Sequence, residues 1–84
     1  MVSSKRAAVY QDYLDSIPAP IVHDAGGGVV YTGYTERLGV GTDEPKWLII
    51  RTTTAGGITT PEYAQGKSTF ESVWDDRTSL TYGR

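Results

Sequence analysis

The chain has 84 residues, enough for one small domain at most, with a formal net charge of −2 and no cysteine. The lack of cysteine excludes a disulfide scaffold, a thiolate zinc site and a cysteine nucleophile. The near-neutral charge offers no basic field to a nucleic-acid backbone, and the longest apolar run, Trp47–Ile50, is far shorter than the roughly 20 residues of a membrane helix.

The hydrophobic core available to this chain is thin. Only 38% of the residues are hydrophobic, although six tyrosines, two tryptophans and one phenylalanine argue against disorder. The conformational entropy lost on folding costs roughly 1.5 kcal/mol per residue. Burial of a few large side chains offsets this cost and leaves little net free energy of folding. We therefore expect a chain that gains stability by burying surface against other subunits, as a component of an assembly does.

The first segment, residues 1–17, predicts a helical arm. Ser3 or Ser4 can cap the helix, and Pro18 ends it. Helical spacing produces one apolar stripe, which packs either on the chain's own sheet or on a neighbouring subunit; it consists of Val9, Tyr10, Tyr13, Leu14 and Ile17. Because no apolar stretch follows the first basic residues, we expect no signal peptide and synthesis in the cytoplasm.

Residues 21–84 predict a β-rich body. A short extended piece begins at Ile21, glycines 26–28 break it, and Val29–Tyr34 resumes as a strand before a loop over residues 35–45. Alternation then predicts the strongest strand, Trp47–Thr54. One of its faces carries Leu48, Ile50 and Thr52, and the other carries Trp47, Ile49, Arg51 and Thr53.

A turn at Ala55-Gly56-Gly57 leads into a return strand, Ile58–Tyr63. Pro61 lacks a backbone donor and therefore places this strand at an edge or a bulge. The last third of the chain changes to helical spacing. Ser68 and Glu71 form a capping-box pattern that predicts a short helix over residues 69–77, followed by a final short strand over residues 79–82.

These elements predict a single small α+β domain that is mainly β. We expect an antiparallel sheet of about four or five strands, an N-terminal helix and a short C-terminal helix, with two helices covering one face of the sheet.

Few residues suggest catalysis or ligand binding. His23 is the only histidine, stands beside three glycines and has no spaced ligand set, so we interpret it as a solvated loop residue. The three glycines precede a strand where a phosphate loop would precede a helix. Asp75 and Asp76 are adjacent on the predicted helix and therefore cannot face each other as a catalytic dyad. We expect no cofactor, no metal site and no enzymatic activity.

The two tryptophans are the large apolar anchors. Trp47 and Trp74 are expected in the core, because the chain has only one phenylalanine. The alternative is that one of them is an interface hot spot, since Trp, Tyr and Arg dominate such sites.

A motif in the C-terminal half resembles small virion structural proteins of tailed bacteriophages. The resemblance covers about residues 46–82. It rests on Trp47-x-Ile49-x-Arg51 followed by Tyr63-Ala64-x-Gly66-x-Ser68-x-Phe70-x-x-Val73-Trp74-Asp75-Asp76-Arg77-x-Ser79-Leu80-x-Tyr82.

The resemblance implies a non-enzymatic virion subunit, made in the bacterial host, that binds other virion proteins in many symmetric copies. The small size and the lack of a fibre-like repeat favour a head or neck accessory, such as a capsid or head–tail connector component, over a tail component. Phe70, Val73 and Trp74 would fix the short helix onto the hairpin that carries Trp47 and Ile49. Arg77 would pair with Asp75, with Asp76 or with a partner's carboxylate. The alternative is a freestanding small binding module or an inhibitor of a host protein.

Overall fold

The fold is a six-stranded antiparallel sheet, seen in a computed structural model that describes residues 18–84. The strands follow the order β1-β2-β3-β4-β6, and β5 pairs with the start of β3. The elements are β1 (Ile21–Gly26), β2 (Val29–Tyr34), β3 (Pro45–Ala55), β4 (Ile58–Ala64), β5 (Ser72–Val73), a 3₁₀ turn (Trp74–Asp76) and β6 (Tyr82–Gly83).

A two-glycine turn joins the long strands β3 and β4. Gly56 and Gly57 have φ angles of 59° and 79°, the left-handed region that both central residues of a type I′ turn occupy. This turn fixes the register of the hairpin, in which Ala55 faces Ile58. The hairpin predicted from the sequence is confirmed.

The two faces of the sheet differ in burial. Side chains alternate along a strand, and partnered residues share a face, so the register divides the strand residues into two sets. We call one set the core face, because it contains every buried strand residue between positions 18 and 84: Tyr31, Gly33, Trp47, Ile49, Ala64 and Ser72.

The other set is termed the open face. It includes Val22, Asp24, Val30, Thr32, Tyr34, Leu48, Ile50, Thr52, Thr54, Thr59, Pro61 and Tyr63, all of which are half-buried or exposed. The alternation predicted for β3 is thus confirmed.

The core is built around a pair of tryptophans. The ring centroids of Trp47 and Trp74 lie 5.8 Å apart with the rings tilted by 39°. A Cβ added to Gly33 would lie 2.5 Å from the Trp74 ring and 3.0 Å from the Trp47 ring, so only glycine leaves room for both. The buried Trp47 Nε1 donates to the Gly41 carbonyl at 2.9 Å. The expectation that both tryptophans belong to the core is confirmed.

The prediction of an α+β fold is wrong. Residues 18–84 contain six strands, one 3₁₀ turn and no α-helix. The predicted helix over residues 69–77 is replaced by β5 and the 3₁₀ turn. Because neither β2 nor β4 reaches residues 45–47 of β3, β5 supplies backbone partners there, and this pairing prevails over a short helix of low intrinsic stability. The predicted N-terminal helix lies outside the described residues.

The outer strands carry features that limit pairing along their free edges. In β1 the register shifts between Asp24 and Gly26, which forms a bulge. In β4 only Tyr63 and Ala64 pair with β6, which leaves residues 58–62 without an outer neighbour among the described residues. Pro61 lies in that stretch, so its predicted place at a sheet edge is confirmed.

Gly33→Ala is expected to lower the free energy of unfolding by about 1–3 kcal/mol, because the new methyl group would collide with both tryptophan rings. Urea denaturation followed by tryptophan fluorescence would measure the change. Gly83→Ala is the matched control, since the nearest atom to its added Cβ is 3.6 Å away. Equal denaturation midpoints for the two variants would contradict the proposed packing.

Candidate functional site

Within residues 18–84 the groups that could bind a ligand lie in a cavity, in a layer of arginines and aromatic rings, and on the open face. Within this range no three His, Cys, Asp or Glu side chains converge to hold a metal ion. A half-open cavity of about 320 Å³ is lined by Glu36, Arg37, Val40 and Lys46, which include neither a histidine nor a hydroxyl nucleophile. The two features that remain are a layer of arginines and aromatic rings on the core face and the open face itself.

The arginine–aromatic layer joins the C-terminal segment to the core face. The Arg77 guanidinium carbon lies 4.6 Å from the centroid of the Trp74 ring, and that of Arg51 lies 4.6 Å from the centroid of the Tyr82 ring. Such contacts attract a cation to the π-electrons of the ring. The Tyr82 hydroxyl donates to the Arg77 carbonyl at 2.8 Å, which ties the two pairs together.

His23 belongs to this layer and is not the solvated loop residue expected from the sequence. It lies in β1, and its ring stacks on Tyr31 with a centroid separation of 5.7 Å. Arg77 Nε donates to His23 Nδ1 at 3.1 Å, and Arg77 Nη1 donates to the Trp74 carbonyl. The predicted pairing of Arg77 with Asp75 or Asp76 is not found, because the only ion pair among residues 18–84 joins Arg51 and Glu62.

Arg51 completes the layer. Its Nη2 donates to Glu62 Oε1 at 2.8 Å, and this hydrogen bond is the main reason that the pKa of Arg51 is raised. Both side chains are about one-third exposed, at 32% and 27%, so the ion pair contributes modestly to stability. His23 accepts from Arg77, Tyr82 donates to the Arg77 carbonyl, and the Arg51 guanidinium lies over the Tyr82 ring. These contacts within the chain hold the C-terminal segment against the sheet.

The open face is the larger of these two features, and none of its residues is buried. The exposed fraction is 62% for Val22 and 37% for Tyr34, two of the four large hydrophobic residues among positions 18–84 that are exposed. One row of partnered residues, Val22, Thr32, Ile50 and Tyr63, crosses four strands. At about 4.8 Å per strand this row is about 14 Å long. The row contains no charged side chain, and the charged Asp24 lies beside it on the same face, partnered with Val30.

The residues that the sequence nominated as structural or interface residues divide into three groups. Trp47, Ile49 and Trp74 lie in the core cluster, and Arg77 braces it. Phe70 and Val73 are half-buried and do not belong to that cluster. The four nominated residues of the N-terminal segment, Tyr10, Tyr13, Leu14 and Ile17, lie outside the described residues.

The sequence analysis did not identify the open face as a candidate site. Leu48, Ile50 and Thr52 did stand out as one face of a strand, and apolar residues on both faces of a strand indicate contacts on both sides. The contributions of Val22, Tyr34 and Tyr63 depend on the register between strands, which the sequence does not display.

No protein-family model, no characterised protein and no solved structure matches the chain. Among residues 18–84, no helix has the length and apolar character needed to cross a membrane. Function is therefore inferred from the chain's own residues.

Stability should depend on pH through Tyr82. Burial raises the pKa of Tyr82 to about 12, and neighbouring Tyr31 adds to the rise, whereas the ordinary value is about 10. The folded state thus holds the phenolic proton more tightly than the unfolded state. This contribution to stability is complete below a pH of about 10 and is lost as the pH rises toward about 12.

We expect the free energy of unfolding, measured by urea titration, to fall across that interval more steeply for the wild type than for Tyr82→Phe. At neutral pH the same variant should lose about 0.5–1.5 kcal/mol, because the hydrogen bond to the Arg77 carbonyl disappears. Identical pH profiles for the two proteins would contradict this assignment.

Proposed function

We propose that the chain is a non-enzymatic structural subunit of a tailed bacteriophage particle and that it binds other virion proteins through the open face. The observation that carries the proposal is a sheet face with several aliphatic and aromatic side chains on which no residue is buried, in a chain with only five buried hydrophobic residues among positions 18–84. Burying one aliphatic side chain contributes about 1.5–3 kcal/mol, so covering this face would add substantially to a thin core.

The binding surface has the composition of a protein interface. Tyr34 and Tyr63 supply large rings with a polar tip, which are common at interfaces because one end is apolar and the other is hydrated. Val22, Leu48 and Ile50 supply aliphatic contacts between them. The tryptophans, by contrast, are already used within the core, so the interface role considered for them passes to these tyrosines.

The phage context is supported by the sequence resemblance over residues 46–82. Most of the structural roles within that motif belong to core residues: Trp47 and Trp74 pack together, and Arg77 braces them. The motif residues therefore stabilise the fold of residues 18–84, whereas the residues of the open face would contact the partner. Within the particle we propose a head or neck position over a tail position, because the sequence shows no fibre-like repeat.

Mass spectrometry of purified particles of the phage that encodes the chain tests this function. We expect the chain at a constant copy number that survives a high-salt wash. Absence from the particles, together with a cooperatively folded monomer in sedimentation velocity, would refute the proposal and favour a freestanding binding module or an inhibitor of a host protein.

Val22→Asp is expected to weaken association by at least about tenfold, because it places a charge in the row of uncharged residues at its β1 end. Sedimentation velocity on the purified chain, alone and with other virion proteins, would measure the effect. The matched control is Ile58→Asp, since Ile58 is 69% exposed but lies on the other side of the sheet. Equal weakening by both variants would show that the open face has no special role.

A further inference from the structure

We propose that His23 is an acid-sensitive latch, which ties the C-terminal segment (residues 72–84) to β1 at neutral pH and lets go when its imidazole is protonated. The inference does not depend on the proposed function. It rests on the hydrogen bond in which Arg77 Nε donates to His23 Nδ1 at 3.1 Å.

The direction of this hydrogen bond fixes the protonation state of the histidine. A guanidinium group carries hydrogen on every nitrogen and has no acceptor, so His23 Nδ1 must offer a lone pair to Arg77. The imidazole is therefore neutral in the closed state, with its proton on Nε2. Protonation would place a hydrogen on Nδ1, directed at the hydrogen of Arg77 Nε, and would set two positive charges side by side. The bond cannot form with the protonated ring.

The bond joins the C-terminal segment to a strand with which it forms no ladder. The segment pairs with β3 through β5 and with β4 through β6. Within residues 18–84, the bond from Arg77 to His23 is the one hydrogen bond between this segment and β1. Loss of the bond would therefore open the core face on the side of β1 and leave the pairing with β3 and β4 in place.

The groups stacked around His23 do not balance a positive charge on its ring. Tyr31 on β2 is an uncharged phenol near neutral pH, and its centroid lies 5.7 Å away, close to the limit of about 6 Å for attraction of a cation to a ring. Tyr82, also uncharged, packs on Tyr31 from the C-terminal segment. Farther along the same row of partnered residues, Arg51 on β3 and Glu62 on β4 form an ion pair with each other.

Three carboxylates lie close in the sequence but are used elsewhere or exposed. Asp24 follows His23 in β1, points to the open face and accepts a backbone N–H two residues farther on. Asp75 and Asp76 precede Arg77, but they are exposed and form no ion pair with it. Arg77 is therefore the charged group that contacts His23, and it has the same sign as the protonated ring.

NMR of the imidazole nitrogens in the full-length chain tests the closed state directly, because His23 is the chain's single histidine. At pH 7.5 we expect the ring proton on Nε2 and none on Nδ1. At pH 5.5 we expect protons on both nitrogens, and the signal of Arg77 Nε–H should move to the position of a solvated guanidinium group. A histidine gains its charge between about pH 8 and pH 5, whereas carboxylates ordinarily do so at lower pH.

Urea titration at the same two pH values measures the effect on stability. For the wild type we expect the unfolding equilibrium constant to rise about fivefold or more on acidification, because one hydrogen bond is lost. His23→Asn keeps an acceptor oxygen near the position of Nδ1 but cannot be protonated. Arg77→Met keeps an apolar stem over the Trp74 ring but removes the donor. For both variants we expect a change of less than about twofold, because neither can lose this bond by protonation.

Two results would overturn the inference. A ring proton on Nδ1 at pH 7.5 would show that Arg77 does not donate to this nitrogen. An equal response to pH in the wild type and in His23→Asn would show that the charge of the imidazole does not control the contact. The NMR measurement uses the wild type, so it decides even where a variant does not fold.

Discussion

The packing of Trp74 against Trp47 under Gly33 is the contact on which the rest of the molecule depends. It brings the C-terminal segment onto the core face, where Ser72 can pair with β3 and Tyr82 can pair with the end of β4. The position of Trp74 also allows Arg77 to lie over its ring. Loss of this contact would remove the cover of the core face and leave a two-sided sheet without a core.

The sheet has more apolar surface than its own short chain covers. Trp47 and Ile49 take one face of β3 into the core, whereas Leu48 and Ile50 carry apolar side chains to the other face. A strand with apolar residues on both faces is usually sandwiched between two layers. The described residues provide one of those layers, and the proposed role in assembly rests on this imbalance.

Features that depend on neighbouring residues could be predicted from the sequence. The alternation along β3 and the Gly56-Gly57 turn are local signals, and both are found in the structure. The C-terminal helix was predicted wrongly because the spacing of Phe70, Val73 and Trp74 also suits a helix, and a strand of two residues is selected only by its distant partner on β3. The hydrogen bond between Arg77 and His23 joins residues 54 positions apart, a separation that leaves no local signal.

The bulge in β1 and the proline in β4 bear on how copies of this protein can meet. An exposed strand with free N–H and C=O groups acts as a template for further strands, and proteins with such edges tend to form fibrils. Here both long margins of the sheet are poor templates, since the bulge disrupts one ladder and Pro61 removes a donor from the other. Edges of this kind disfavour polymerisation of the chain edge to edge, so contacts between copies would have to use the faces of the sheet.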